Sequence, residues 1–256
     1  MEHSNAVRRF SAIISAGGQA GEDLASLLGV REKCAALFDG KPLAAWAVEA
    51  AFGAGAEEVV VVCGDEVREA LAGAKCLFAT PGANPVESAR NGLSQISGDH
   101  DIVFIPGDIP LIRAENVVDF VRTLPSIEGK WLAIALASKE AINARFGNTD
   151  GVGYLKLDGR RYAAAGLSAA NKDGFVSALQ TLSKLAEDRK SQVKMALRFG
   201  AGDILRFFLG KMTTERAELA GKRIFGCSCA VVKGCAAELV MDVDTPEDWR
   251  ALTSAT

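Results

Sequence analysis

The feature that most constrains this chain is an alternation that runs four times through its first half. Residues 10–15, 59–63, 76–79 and 102–105 are short apolar runs bounded by turn residues. Runs this short and apolar throughout read as strands buried on both faces, as inside a parallel sheet. Between them the apolar residues fall at helical spacing. Leu43, Trp46, Ala47, Ala50 and Ala51 mark a helix over 43–52, and Val86, Ala89, Leu93 and Ile96 mark another over 86–96. A short helix is predicted over 66–71, and 16–32 reads as a loop. Strand and helix in this order give an α/β fold of three layers, Rossmann-like, with a mixed, mostly parallel sheet and right-handed crossovers.

The second half changes character. Residues 131–137 read as a strand. Residues 153–157 and 160–165 form a predicted hairpin around Asp158-Gly159. Residues 173–220 are helical in pattern, with breaks at Gly200 and Gly210. Two short strands are expected at 229–233 and 239–243. A last helix starts at Thr245, a natural N-cap, with Pro246 in its first turn and Glu247 and Asp248 complementing its dipole. No repeat or linker divides the chain, so residues 1–256 read as one domain with halves at 1–125 and 126–256.

Several function classes are disfavoured. A net charge of -3 supplies no basic surplus for a nucleic-acid partner. No apolar run approaches the roughly 18–20 residues of a membrane span, and the N-terminus lacks the pattern of a signal peptide. Six cysteines, mostly in apolar segments, suit buried thiols in a reducing compartment, so a cytoplasmic location is expected. Cys227-x-Cys229 with Cys235 lacks the paired spacing or histidine partners of a zinc site. The two histidines, His3 and His100, complete no nucleophilic triad. Trp46, Trp131 and Trp249 fit apolar faces, and the pairs 189–190 and 222–223 fit solvated surface. Arg189 or Lys190 could also meet a substrate phosphate.

Three features carry chemistry. Gly17-Gly18 directly follows the first strand, at the edge where open α/β sheets bind ligands. Glycines there admit positive φ and let backbone N–H groups approach a phosphate. By itself such a pair is more often only a turn, and neither the dinucleotide fingerprint nor a P-loop spacing is present. Lys33 would return to that turn and offset the charge of a triphosphate; its plainer reading is a solvated loop lysine. Asp108 ends the fourth strand, and Asp244 precedes the last helix. Two aspartates at such places suit Mg²⁺, which takes one or two carboxylates and completes its shell with phosphates and water. Separately they read as a turn acid and a helix cap. Their joint occurrence with the glycine turn favours the functional reading.

The set resembles the MobA-like NTP transferases, nucleotidyltransferases of the glycosyltransferase-A type (nucleotide-diphospho-sugar transferase) fold. The resemblance runs through Ile14-Ser15-Ala16-Gly17-Gly18, Lys33, Gly40-Lys41-Pro42-Leu43, Ser88-Ala89-Arg90-Asn91-Gly92-Leu93, Gly107-Asp108-Ile109-Pro110-Leu111 and Asp242-Val243-Asp244-Thr245-Pro246. It implies that Ala16, Gly17, Gly18 and Lys33 contact the triphosphate, that Gly82 and Ser88 lie near the base, that Lys33 and Asp108 are catalytic, and that Asp108 and Asp244 hold Mg²⁺. It also implies an NTP and a small acceptor as partners, pyrophosphate as product, and an EC 2.7.7-type activity. The acceptor would be a phosphate, phosphonate or carboxylate group, and residues 173–220 would shape its pocket or a homodimer contact. The chain departs from the family's Ser/Thr-x-Arg-x-Gly arrangement, since 19–26 contain no base, so it resembles a branch with an acidic loop. Glu32 stands where a proline is usual, and 165–168 where Gly-Gly-Asn often occurs. Arg31 or Lys41 could replace the missing charge. The alternative is a nucleotide-binding or regulatory protein of this fold that has lost the chemistry. A nucleotide-sugar glycosyltransferase would need an Asp-x-Asp where Gly107-Asp108-Ile109-Pro110 stands, and a dehydrogenase would need glycine spacing that is absent.

Overall fold

The computed structural model describes residues 8–147, 152–188 and 200–254. Strands β1 (Phe10–Ser15), β4 (Val59–Val62), β5 (Leu77–Ala79) and β6 (Asp101–Pro106) are the four runs of the first half. They pair in parallel in the order β6-β1-β4-β5. Two short strands, β2 (Leu37–Phe38) and β3 (Lys41–Pro42), form a separate hairpin. The main sheet continues through β7 (Trp131–Ser138), β8 (Leu155–Leu157), β9 (Arg160–Ala170) and β10 (Ser228–Lys233), giving the order β10-β7-β9-β6-β1-β4-β5 with β8 on β9. Strand β9 is antiparallel to both β6 and β7 and makes the sheet mixed.

Helices cover both faces. Along β1, Ala12 and Ile14 join one core with α2 (Leu43–Gly53) and α5 (Ala114–Thr123). Ile13 points into the other core, with α4 (Pro85–Ser94) and α7 (Lys172–Asp188). Because both faces are covered, every residue of β4 is apolar and buried. The short α3 (Asp65–Ala70) follows β4, and α6 (Lys139–Phe146), α8 (Ala201–Phe208), α9 (Thr214–Phe225) and α10 (Pro246–Ser254) complete the described helices.

Four expectations are corrected. The loop expected at 16–32 contains α1 (Glu22–Leu28), which buries only Leu24 and so shows no apolar stripe. Helices α5 and α6 were not anticipated. Val117, Phe120 and Val121 are buried at helical spacing in α5, a signal that was there to read, whereas α6 buries only Ile142. The hairpin's second strand extends five residues beyond 165, to Ala170, because β6 and β7 both pair with it. Residues 239–243 form no strand: Ala237–Val240 is a 3-10 turn, and Val243 donates to the Asp108 carbonyl at 3.0 Å rather than to a sheet ladder. The breaks at Gly200 and Gly210 are real, both at positive φ flanking α8. Arg189, Lys190 and His3 lie outside the described residues.

Candidate active site

At the carboxyl end of β1 the chain makes a close-packed turn. Ala16 is buried and donates its N–H to Val62 O at 2.9 Å, so it shapes the turn from beneath. Gly107 donates to Ser15 O at 2.8 Å; a Cβ there would meet Ala16 Cβ at 2.9 Å. Gly17 and Gly18 do not use positive φ, contrary to the expectation for this turn. Space decides at Gly17, where a Cβ would meet Pro81 Cγ at 2.8 Å, while at Gly18 the nearest atom is Lys33 Cε at 3.5 Å. Among the described residues, neither glycine N–H has a protein partner. The two glycines line a cleft of about 280 Å³ with Ser15, Pro81, Gly82 and Ser88. Its far wall is fixed by Ser88 Oγ, which accepts the Gly82 N–H at 3.0 Å, and by Asn84, which caps α4.

The returning segment reaches the turn through backbone bonds: Lys33 N donates to Gly18 O at 3.3 Å, and Ala20 N to Arg31 O at 2.8 Å. This holds Lys33 against the turn, beside Gly18. Its ammonium pairs with Asp108 Oδ2 at 2.6 Å, donates to Val243 O at 2.9 Å and pairs with Asp244. Burial alone would lower the Lys33 pKa, but the charges and hydrogen bonds of Asp108 and Asp244 outweigh it and hold the lysine firmly protonated. Asp108 is largely covered, at 17% exposure, and Asp244 is open, at 64%. Asp242 responds to the same cluster: desolvation, then the negative charges of Asp244 and Asp108, raise its carboxyl pKa. Among the described residues no three His, Cys, Asp or Glu side chains converge as a metal-holding group.

Sequence reasoning missed what Glu32 does in place of the proline before Lys33. Glu32 is buried and accepts the Val67 N–H at 3.1 Å, in space that only Gly64 leaves open, since a Cβ there would lie 1.9 Å from Glu32 Oε1. Glu66 accepts the N–H groups of Arg31 and Glu32 at 2.9 and 2.7 Å. Two carboxylates on backbone amides thus fix the approach to Lys33. The signal was an acid in place of a ring, legible only with α3 in position. Lys41, one of the two candidates to replace the missing loop base, has its ammonium on Glu49 at 2.6 Å and over the Trp46 ring. Cys34, beside Lys33, is buried, and burial pushes its thiol pKa up, so it offers no nucleophile. Trp46 and Trp249 pack edge-on against Phe38, and Trp131 is buried.

Comparison with known proteins agrees with this fold. Residues 12–185 match the MobA-like NTP transferase domain. A hypothetical transferase from Thermus thermophilus is similar at 27% identity and TM-score 0.80, covering 94% of this chain and 99% of that one. A CMP:2-keto-3-deoxy-manno-octonic acid synthetase complexed with CTP shares the fold at 18% identity and TM-score 0.62, covering 96% and 99%. A Methanothermobacter nucleotidyl transferase does so at 18% and 0.59, covering 97% and 99%. Among the described residues no helix is long and apolar enough to cross a membrane. With the glycine turn, Lys33 and the two aspartates gathered at one edge of a mixed, mostly parallel sheet, and with more than half of the chain matching, the protein belongs to the MobA-like NTP transferase family.

Proposed function

We propose that the protein transfers a nucleoside monophosphate from an NTP to a small acceptor, with Mg²⁺ bound and pyrophosphate released. The observation that supports this reading is the Lys33–Asp108–Asp244 charge cluster beside the glycine turn, with Lys33 Cε 3.5 Å from where a Gly18 Cβ would lie, although Lys33 and Asp244 are 211 positions apart. The hard oxygens of Asp108 and Asp244 suit Mg²⁺, which fills the rest of its shell from phosphates and water. When bound, the ion lowers the charge that an attacking anion meets.

The chain's own residues do the rest. Gly17 and Gly18 offer N–H groups to the triphosphate. Gly82 and Ser88 form the wall toward the base. Lys33 neutralises the leaving pyrophosphate, a contribution of roughly 2–4 kcal/mol on the scale of one oxyanion donor. The acceptor oxygen attacks the α-phosphorus in line, the bond to the bridging oxygen breaks, and pyrophosphate leaves with that electron pair. Residues 1–125 serve the NTP and residues 126–256 the acceptor, with Asp244 crossing over to complete the first site.

The test is a melting-temperature screen of four NTPs with Mg²⁺, followed by a pyrophosphate-release assay. CTP comes first, because a synthetase of this fold is complexed with it. A true ligand at 100 times its Kd stabilises by about 2.7 kcal/mol. No stabilisation by any NTP would refute the proposal. One observation favours a second reading, a nucleotide-binding protein without turnover: Lys33 is fully engaged by the two carboxylates, and residues 19–26 supply no further base. Calorimetric binding without pyrophosphate release under acceptor screening would establish it.

A further inference from the structure

Two cavities flank the charge cluster. The cleft already described runs from Gly18 toward β4 and β5. On the other side of β6, toward β9, lies a cavity of about 380 Å³. Its lining includes Val152, Ala164, Val240 and Met241, with two carboxylates, Asp242 and Asp248, and no Lys, Arg or His among the described residues. The cavity adjoins the cluster through the chain itself, since Asp242 is two residues from Asp244 and Val243 is bonded to Asp108 O. Asp248 is already committed: one of its oxygens accepts the Thr245 and Asp244 N–H groups at 2.8 and 3.1 Å and the Thr245 hydroxyl at 2.8 Å. Among the described residues no side-chain hydrogen bond engages the Asp242 carboxylate, and the charges that act on it are those of Asp244, Asp108 and Lys33.

We infer that this cavity is the acceptor subsite, and that it takes an acceptor whose end remote from the reacting oxygen carries a protonated amine, seated on Asp242 with its carbon skeleton along Val152, Val240 and Met241. The inference rests on the nucleotidyltransferase reading and specifies its acceptor. A second anionic group is disfavoured there, because it would face two carboxylates with no base in the described lining. The acceptors compared below react through a phosphomonoester: its oxygen would form the new bond to the α-phosphorus, the α–β bridge would break, and pyrophosphate would carry away the electron pair. Already ionised near neutral pH, that oxygen needs no side-chain base.

The experiment compares three acceptors that share the phosphomonoester and differ at the far end: O-phosphoethanolamine, glycerol 3-phosphate and 3-phosphoglycerate. Pyrophosphate release is followed with Mg²⁺ and the NTP giving the largest melting shift. The expected kcat/KM for phosphoethanolamine exceeds that for glycerol phosphate by roughly tenfold, the scale of one charge-assisted hydrogen bond, with phosphoglycerate lowest. Asp242→Asn should collapse that ratio toward one, mainly through KM, and Ala164→Lys should raise phosphoglycerate relative to the other two. Preference for phosphoglycerate, an unchanged ratio in Asp242→Asn, or turnover of none of the three while NTP still binds each overturns the acceptor assignment alone. Absence of any NTP-induced melting shift overturns the parent reading as well, so the two failures are distinct.

Discussion

Lys33 sets one positive charge against two carboxylates, so removing either sign leaves a different imbalance. In Lys33→Met, the nearly covered Asp108 faces Asp244 without a counter-charge. We expect a loss of about 1–2 kcal/mol by urea unfolding, because the site is partly open to water, and a fall in pyrophosphate release of about 100-fold. Asp108→Asn keeps the backbone bonds of Gly107 and Val243, so circular dichroism should stay native while Mg²⁺-dependent turnover drops by about 100-fold or more. The raised Lys33 pKa means that its ion pairs are fully present below the ordinary lysine value of 10.5 and are lost only as pH climbs past the higher folded value. Lys33 itself should therefore add no pH dependence to stability near neutrality. The two glycines of the turn are predicted to differ. Gly17→Ala, with its Cβ 2.8 Å from Pro81 Cγ, should weaken NTP binding by about tenfold in calorimetry, whereas Gly18→Ala should bind nearly as wild type.

Between elements, carboxylates act as staples at two joints. Glu32 and Glu66 bind the loop before Lys33 to the start of α3. Glu58, just before β4, accepts from Ser97 Oγ at 2.7 Å and from the N–H groups of Ser97 and Gly98 at 3.1 and 3.0 Å, joining the end of α4 to the sheet. The Ser97 hydroxyl first, then the Gly98 and Ser97 amides, lower the Glu58 pKa to about 2 from the ordinary 4.5. A depressed carboxylate stabilises the fold above its ordinary value and loses that contribution as pH falls toward the folded value. Thermal melts between about pH 5 and pH 2 should therefore decline partly through Glu58, and Glu58→Gln should flatten that decline while lowering stability near pH 7. A matching acid limb in the variant would remove Glu58 from the explanation.

Across the whole molecule the two halves share one sheet and one C-terminal core. Strand β9 inserts between β6 and β7, so the first half by itself would leave β6 as an unpaired edge. Val243 and Leu252 from the C-terminal region complete the core around Leu24, Phe38 and Leu43. Asp244 reaches Lys33 from the same region. A fragment of residues 1–125 is accordingly expected to show no cooperative thermal transition and no NTP-induced stabilisation, although it carries Gly17, Gly18, Lys33 and Asp108. Calorimetry on the fragment beside the full chain is the check, and a fragment that melts cooperatively and binds NTP would show that the division at 125 is a true boundary.

What the sequence determined by itself is local and periodic. The four apolar runs specify β1, β4, β5 and β6 because strands covered on both faces carry little polar pattern, and the spacing of 43–52 and 86–96 specifies α2 and α4. It also singled out Gly17, Gly18, Asp108 and Asp244, through residue type at strand ends, whereas Lys33 by spacing alone reads as a solvated loop lysine and stood out only through the family resemblance. Tertiary structure decided the rest, since each remaining feature depends on a partner distant in sequence. Residues 239–243 look like a strand in isolation, yet the Asp108 carbonyl takes the Val243 N–H and folds them into a turn. Glu32 looks like a lost proline until Gly64 and Val67 surround it. Periodicity records which face a residue turns to the core, whereas an ion pair spanning 211 positions is fixed only when the whole sheet brings its ends together.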